Sequence, residues 1–159
     1  MTDRSRILIV DDAVVVRRLL ADALASEPDF EIAGVAPNGK IALDKIVQVR
    51  PDLVILDVEM PVRDGLETLV QIREQRPDLP VIMYSATTER GADITIQSLL
   101  NGAADYATKP SRTGDPQAAR RHILGELAPK FRAAVQSARK ADRKSKRPKS
   151  SPGKVSRMP

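Results

Sequence analysis

The sequence has no cysteine, no tryptophan, and only two tyrosines and two phenylalanines among its 159 residues. Without cysteine the chain can form no disulfide, no thiolate metal site and no cysteine nucleophile, and nothing argues for an oxidising compartment. No apolar run approaches the roughly 20 residues that cross a bilayer, so we expect no membrane insertion. Because residues 1–5 lead directly into the first apolar run, we expect no signal peptide and a cytoplasmic location.

The net charge of +5 is unevenly divided along the chain. Residues 1–110 carry 12 Lys and Arg against 18 Asp and Glu, whereas residues 111–159 carry 14 against 3. The sequence pI of about 9.7 therefore describes the C-terminal region rather than the rest of the chain. The pI alone is poor support for nucleic-acid binding.

Short aliphatic runs alternate with helical patterns along the first 110 residues. Runs at residues 7–10, 53–56 and 81–84 are typical of strands buried on both faces of a parallel sheet. Weaker strands are predicted at residues 30–36 and 104–108. Five strands separated by helices favour an α/β fold with right-handed crossovers and helices on both faces of a parallel sheet.

The helical patterns predict caps, buried faces and domain limits. Thr87 and Thr88 are candidate caps of the fourth helix, and the last helix is predicted to begin at Asp115-Pro116. Pro129 is expected to kink or restart that helix. We predict a folded domain over residues 1–128, a helical extension over 129–141 and a disordered basic tail over 142–159. The fourth helix is predicted to bury Ile96, Leu99, Leu100 and Ala103.

Four of the five predicted strands end in a group that can handle a phosphoryl group: Asp11 with Asp12, Asp57, Ser85 and Lys109. Each has an ordinary explanation alone, because an acid after a strand commonly caps a helix and Lys-Pro commonly marks a turn. The carboxyl ends of parallel strands meet at one edge of a sheet, so we expect these side chains to be neighbours. Their coincidence points to phosphoryl chemistry centred on Asp57.

Three carboxylates gathered at one edge repel one another by on the order of 4 kcal/mol per pair at an effective dielectric constant near 20. A divalent cation relieves this repulsion, and oxygen ligands suit Mg²⁺. We expect Mg²⁺ to bind the carboxylates of Asp12 and Asp57 and the backbone carbonyl of Glu59, with Asp11 bound directly or through water. Asp57 is then the expected nucleophile toward phosphorus, and the product is an acyl phosphate.

Two more groups are expected to meet the oxygens of the transferred phosphoryl group. The ammonium of Lys109 is predicted to contact one oxygen, and the hydroxyl of Ser85 with a nearby amide another. We also hypothesise that a cis peptide bond between Lys109 and Pro110 turns the lysine into the site. A trans bond with Lys109 in solvent would count against this geometry.

At these residues the chain resembles the receiver domain of two-component response regulators, over about residues 5 to 112. The shared motifs are the acidic pair, the strand ending in Asp57 with Met-Pro and Asp-Gly after it, the serine, and the Lys-Pro. The resemblance implies a flavodoxin-like (βα)5 doubly wound sheet with strand order 2-1-3-4-5. It also implies that a separate histidine kinase donates the phosphoryl group, and that the domain catalyses its own phosphorylation and dephosphorylation.

The resemblance further implies a switch. Ser85 is expected to move toward phosphorylated Asp57 while the ring of Tyr106 turns inward, which changes the surface of the fourth helix, fifth strand and fifth helix. The alternative for Tyr106 is a half-buried aromatic on an edge strand. Glu59 and Thr87 lie where the family tunes attack by water. The lone histidine, His122, is interpreted as a solvated helix residue and not as a phosphodonor.

Three stretches, residues 57–61, 88–93 and 102–105, look like the receiver region of the chemotaxis response regulator protein-glutamate methylesterase. That family joins a receiver to a serine hydrolase that demethylates chemoreceptors, and phosphorylation relieves the receiver's block on it. These 159 residues contain no Gly-x-Ser-x-Gly motif, and their only histidine is His122, so we expect no Ser-His-Asp triad here. The chain is either a regulatory fragment of such a protein or a stand-alone receiver that acts by protein-protein contact.

The basic tail has two interpretations. We favour a solvated linker toward an effector domain, because the tail lacks aromatic residues and a DNA-binding helix pair. Nucleic-acid binding is the disfavoured alternative. Nucleotide or flavin binding at the same sheet edge is disfavoured too, because the first strand is followed by Asp11-Asp12 and not by a glycine-rich phosphate loop.

Overall fold

The computed structural model describes residues 4–60, 64–110 and 115–146. Residues 147–159 of the basic tail lie outside these ranges. The strands are β1 (Ser5–Val10), β2 (Phe30–Ala36), β3 (Leu53–Asp57), β4 (Val81–Ser85) and β5 (Asp105–Thr108). The helices are α1 (Val14–Ala25), α2 (Gly39–Val49), α3 (Gly65–Gln75), α4 (Glu89–Leu100) and α5 (Pro116–Lys146).

The five strands form one parallel sheet in the order β2-β1-β3-β4-β5. This confirms the predicted flavodoxin-like fold and strand order. Every residue of β3 and β4 is buried, as expected for central strands covered on both faces. The sheet therefore presents the ends of β3 and β4 at the middle of its carboxyl edge.

Helices cover both faces of the sheet and form two apolar cores. Side chains of α1 and α5 pack on one face against residues such as Ile7, Ile55 and Tyr84. Side chains of α2, α3 and the flanks of α4 pack on the other, against residues such as Leu8 and Met83. Within the described ranges, no helix is both long and apolar enough to cross a membrane.

Three of the four residues that the fourth helix is predicted to bury are exposed, and only Ala103 packs against the core. Ile96, Leu99 and Leu100 are 58%, 37% and 82% exposed, and the helix instead buries small polar residues, Thr95 and Ser98. The hydroxyl of Thr95 donates to the carbonyl of Gly91, and that of Ser98 donates to the carbonyl of Ile94. Because each hydroxyl is satisfied within its own helix, its burial costs little, and the small side chains let the helix approach the sheet.

The last helix does not restart at Pro129. It continues through the proline as one helix and extends to Lys146, past residue 142, where the sequence predicts the start of a disordered tail. Pro129 lies on the exposed side, between the buried residues Leu127 and Phe131. Packing on both sides of the proline keeps the helix continuous despite the lost amide donor.

The core extends beyond the predicted domain limit at residue 128. Phe131 and Val135 are 0% and 5% exposed and belong to the same cluster as β1 and β3. The ring of Phe131 also meets Phe30 edge-on, with 5.8 Å between centroids. Arg132 fixes this segment from outside through an ion pair with Asp29, at 2.8 Å.

A chain shortened to residues 1–128 is expected to be less stable than the full chain by about 3 kcal/mol or more, because it lacks the Phe131 and Val135 side chains. A chain shortened to residues 1–141 is the matched control and is expected to unfold like the full chain. Urea unfolding monitored by circular dichroism compares the three. Equal midpoints for all three would show that the C-terminal part of α5 adds nothing to the core.

Candidate functional site

The topology brings the predicted residues together at the carboxyl edge of the sheet. Asp57 and Ser85 are the last residues of the neighbouring strands β3 and β4, while Asp11 follows β1 and Lys109 follows β5. Carboxylate oxygens of Asp11, Asp12 and Asp57 all lie within 4.8 Å of one another. Asp11 and Asp57 are buried, whereas Asp12 is exposed.

Lys109 reaches into this acidic cluster. Its Nζ lies 3.0 Å from Oδ1 of Asp57, to which it donates a hydrogen bond, and 3.1 Å from Oδ2 of Asp11. None of the described peptide bonds is cis, so the hypothesis of a cis bond before Pro110 is wrong. The lysine enters the site from a trans bond because the backbone amide of Lys109 continues the sheet, donating to the carbonyl of Ser85 at 2.8 Å.

Burial and like charge dominate the electrostatics of the cluster. Burial raises the pKa of Asp57 to about 7, and the charge of Asp11 contributes in the same direction, against the opposing effect of Lys109. Burial also raises the pKa of Asp11. For Lys109, burial lowers the pKa, but the charges of Asp11 and Asp57 outweigh it and leave the pKa raised. The single positive charge of Lys109 does not compensate the negative charges of the two buried carboxylates and of Asp12 beside them.

The donor set suits a hard cation. Oδ2 of Asp57 is buried and accepts no hydrogen bond from the described residues, and Oδ2 of Asp11 has only the ion pair with Lys109. A buried carboxylate oxygen without a donor is costly, and a cation is the natural partner for it. Three carboxylates without sulfur or nitrogen ligands fit the preference of Mg²⁺ for oxygen.

The start of α3 lies very close to the backbone of Asp57. Asp64 caps α3 by accepting a hydrogen bond from the amide of Glu67, at 2.9 Å. The amide of Gly65 donates to the carbonyl of Val58 at 2.8 Å. A Cβ at Gly65 would lie 2.3 Å from the carbonyl oxygen of Asp57, so only glycine allows this approach.

Ser85 lies at the base of α4 and not on Asp57. Its Oγ donates to the carbonyl of Ala86 at 2.8 Å, and a Cβ at Gly91 would lie 2.6 Å from that Oγ. The first turn of α4 therefore closes directly over the serine hydroxyl. A movement of Ser85 toward Asp57 would open space at this contact.

The two loops that flank the site are joined by a contact that the sequence did not predict. Thr88, the residue that caps α4, donates from Oγ1 to the carboxylate of Glu59 at 3.2 Å. The backbone amide of Glu59 donates to Oδ1 of Asp57, at 3.3 Å. The contact with Thr88 holds the Glu59 side chain across the site.

Tyr106 stands outside the cluster, on the edge strand β5. The residue is 42% exposed, as in the alternative of a half-buried edge aromatic. Nζ of Lys130, on α5, lies 4.9 Å from the ring centroid. The structure therefore places Lys109 in contact with Asp11 and Asp57 and the carboxylate of Asp12 nearby, with Tyr106 turned outward.

A family model described as the response regulator receiver domain matches residues 7–119 of the chain. The protein-glutamate methylesterase/protein-glutamine glutaminase of Trichodesmium erythraeum is 55% identical over 126 residues, which are 79% of this chain and 36% of that protein. The protein of the same name from Thermotoga maritima is 42% identical over 136 residues, covering 85% and 39%. The chain thus spans little more than a third of the length of these curated relatives.

Solved structures match the same region. The crystal structure of the response regulator domain of Thermotoga maritima CheB superposes with a TM-score of 0.73 at 39% identity. The superposition covers 84% of this chain and 97% of that one. The fold described above is therefore shared with a solved receiver domain over nearly the whole length of the latter.

Proposed function

The chain belongs to the family of response regulator receiver domains, and we propose that it accepts a phosphoryl group on Asp57 from a histidine kinase. The observation that carries the proposal is the buried contact between Asp57 and Lys109, 3.0 Å apart, inside a cluster of three carboxylates. A carboxylate that is both a nucleophile and adjacent to a fixed cation is suited to attack on a charged phosphoryl group.

In the proposed step a carboxylate oxygen of Asp57 attacks phosphorus. A P–O bond forms as the P–N bond to the imidazole of the kinase phosphohistidine breaks, and the imidazole leaves with the bonding electron pair and takes up a proton. Lys109 is positioned to meet one phosphoryl oxygen as it gains charge. Ser85 and a neighbouring amide are proposed to meet another, once Ser85 moves off the carbonyl of Ala86.

We propose that Mg²⁺ is held by the carboxylates of Asp12 and Asp57 and the backbone carbonyl of Glu59, with Asp11 bound directly or through water. Bound there, the cation would neutralise the clustered carboxylates and the phosphoryl oxygens. The unpartnered Oδ2 of Asp57 supports this assignment. The raised pKa of Asp57 supports it as well, because it reflects a charge that lacks compensation in the protein alone.

The signalling output is proposed to depend on movements of Ser85 and Tyr106. When Ser85 moves toward phosphorylated Asp57, the space beneath Gly91 opens and the exposed ring of Tyr106 turns inward. This rearrangement would alter the surface around α4, where Ile96 and Leu100 are already exposed. By similarity to the methylesterase relatives, the output we propose is control of a chemoreceptor methylesterase in chemotaxis, with a chemotaxis-type kinase as donor.

Incubation of the protein with Mg²⁺ and acetyl phosphate or phosphoramidate tests the phosphorylation. Intact mass spectrometry is expected to show one added phosphoryl group that is lost in base. Asp57→Asn is expected to gain none, and omission of Mg²⁺ is expected to prevent labelling of the unsubstituted protein. Asp52→Asn, at the opposite end of the same strand, is the matched control and should label normally. Equal labelling of Asp57→Asn would overturn the assignment.

The chemotaxis output needs its own test. Phosphotransfer from several purified, phosphorylated histidine kinases is compared over short times, at equal concentrations. We expect the chemotaxis-type kinase to label the protein fastest. Faster transfer from a kinase of another pathway would contradict the chemotaxis assignment while leaving the phosphoacceptor role intact.

A further inference from the structure

The outer edge of β5 is covered by side chains. Because β5 pairs only with β4 among the described strands, the backbone groups of Tyr106 and Thr108 face away from the sheet. Asp105 accepts the hydrogen bond from the amide of Tyr106, at 2.8 Å, and Lys130 donates to the carbonyl of Tyr106. The amide of Thr108 donates to Oε1 of Glu126 at 2.9 Å. These outward groups therefore have partners without a further strand.

Three of the covering residues, His122, Glu126 and Lys130, form a row at four-residue spacing on α5. Nε2 of His122 lies 3.0 Å from the carbonyl oxygen of Thr108 and 2.9 Å from Oε2 of Glu126. Glu126 in turn lies 3.6 Å from Nζ of Lys130. The row runs along β5, so it ties the strand that carries Tyr106 and leads into Lys109 to the helix.

Lys130 makes two contacts with Tyr106. Its Nζ donates to the backbone carbonyl of Tyr106 and also lies 4.9 Å from the centroid of the ring. A cation over a ring face is attracted by the negative face of the π system, so the second contact exists only while the ring is outside. The first contact holds the ammonium in place, and Glu126 orients it from the other side.

We propose that Lys130 is a positioning residue that holds the Tyr106 ring at the surface and so opposes its inward rotation. The inference rests on the proposed function, in which Tyr106 turns inward when Asp57 is phosphorylated. Because the inward ring gives up its contact with the ammonium, Lys130 shifts the equilibrium toward the outward, unphosphorylated arrangement. A partner that drew α5 or Lys130 away from β5 would favour phosphorylation.

Substitution of Lys130 by methionine keeps most of the side-chain volume and removes the charge. The ratio of inward to outward rings is expected to rise about two- to fivefold, which is the factor that an exposed cation–π contact is worth. Lys130→Arg keeps a cation and a donor over the ring and is expected to resemble the unsubstituted protein. Lys140→Met is the matched control, since Lys140 lies about 15 Å further along the same helix and is exposed.

The position of the ring can be read without phosphorylation. The chain has only two tyrosines, so labelling with 3-fluorotyrosine gives two fluorine resonances, and Tyr106→Phe identifies the one from Tyr106. In Lys130→Met we expect a smaller H₂O/D₂O isotope shift of this resonance than in the unsubstituted protein, because a ring that has turned inward is less exposed to solvent. An unchanged isotope shift would overturn the proposal.

The rate of labelling gives the second readout. At one acetyl phosphate concentration, Lys130→Met is expected to accumulate phosphorylated Asp57 about two- to fivefold faster than Lys130→Arg, Lys140→Met or the unsubstituted protein. Equal rates for all four, or an equally fast Lys130→Arg, would contradict the proposal. If none of the proteins is phosphorylated, the phosphoacceptor function fails. The fluorine spectra of the unphosphorylated proteins still decide whether Lys130 holds the ring.

Discussion

Substitution of Gly65 by alanine is expected to destabilise the protein by about 3 kcal/mol or more and to abolish phosphorylation of Asp57. The added Cβ would lie 2.3 Å from the carbonyl oxygen of Asp57 and 2.9 Å from Cα of Val58. Both atoms belong to the backbone, so no side-chain rotation relieves the clash. Either α3 moves away from β3, or the end of β3 shifts and carries the Asp57 carboxylate out of reach of Lys109.

Urea unfolding and acetyl phosphate labelling measure the two effects. Gly125→Ala is the matched control, because a Cβ there would meet nothing within 4 Å and Gly125 lies inside α5. Alanine is the better helix former, so this control is expected to be about 0.5–1 kcal/mol more stable than the unsubstituted protein. A Gly65→Ala protein with an unchanged midpoint would mean that the close approach of α3 to β3 is not required.

The second large effect concerns Asp57 itself. In the absence of divalent cations, Asp57→Asn is expected to raise the stability of the fold by about 2–4 kcal/mol at pH 8. Asp57 is 2% exposed, and burial raises its pKa from 3.8 to about 7. At pH 8 the folded protein must therefore hold an ionised carboxylate that folding disfavours, and the amide removes that charge.

The effect has a defined pH dependence. Since the folded-state pKa is raised, Asp57 stabilises the fold most when protonated, below about pH 4, and this contribution is lost as the pH rises to about 7. The advantage of Asp57→Asn is thus expected to be small at pH 5 and large at pH 8. Excess Mg²⁺ should reduce this advantage at pH 8, because it adds about 2.7 kcal/mol to the stability of the unsubstituted protein at 100 times its Kd.

Thermal unfolding in EDTA and in Mg²⁺, at both pH values, measures these differences. Asp44→Asn is the control, because Asp44 is an exposed carboxylate on α2. It is expected to unfold like the unsubstituted protein under all four conditions. If Asp57→Asn were less stable than this control in EDTA at pH 8, uncompensated charge would not be the dominant feature of the site.

The strand ends were predictable from the sequence, and the fourth helix was not. Runs of aliphatic residues identify buried parallel strands, and parallel strands necessarily bring their ends to one edge, so the grouping of Asp57 with Lys109 follows from pattern alone. Hydrophobic spacing on α4 gave the wrong face, because Thr95 and Ser98 satisfy their hydroxyls within the helix and are buried instead. A hydrophobicity pattern does not show which hydroxyl groups form hydrogen bonds within their own helix.

Contacts between side chains and backbone groups far away in the sequence could not be predicted from the sequence either. The sequence predicts a solvated helix residue at His122, and in the structure its ring contacts the carbonyl of Thr108 and the carboxylate of Glu126. The four-residue spacing of His122, Glu126 and Lys130 was a visible signal, since it places them on one side of α5. Which strand they meet depends on how the helix crosses the sheet, which only the packing of residues such as Phe131 determines.

The covered edge of β5 also bears on self-association. Two copies that joined their sheets into one continuous sheet through β5 would first have to displace Asp105, Glu126 and Lys130 from the backbone of that strand. Strand addition at this edge would exchange existing hydrogen bonds for new ones and gain little. Intermolecular sheet growth, if the protein is partly unfolded, is therefore directed to β2, the longer strand at the opposite edge.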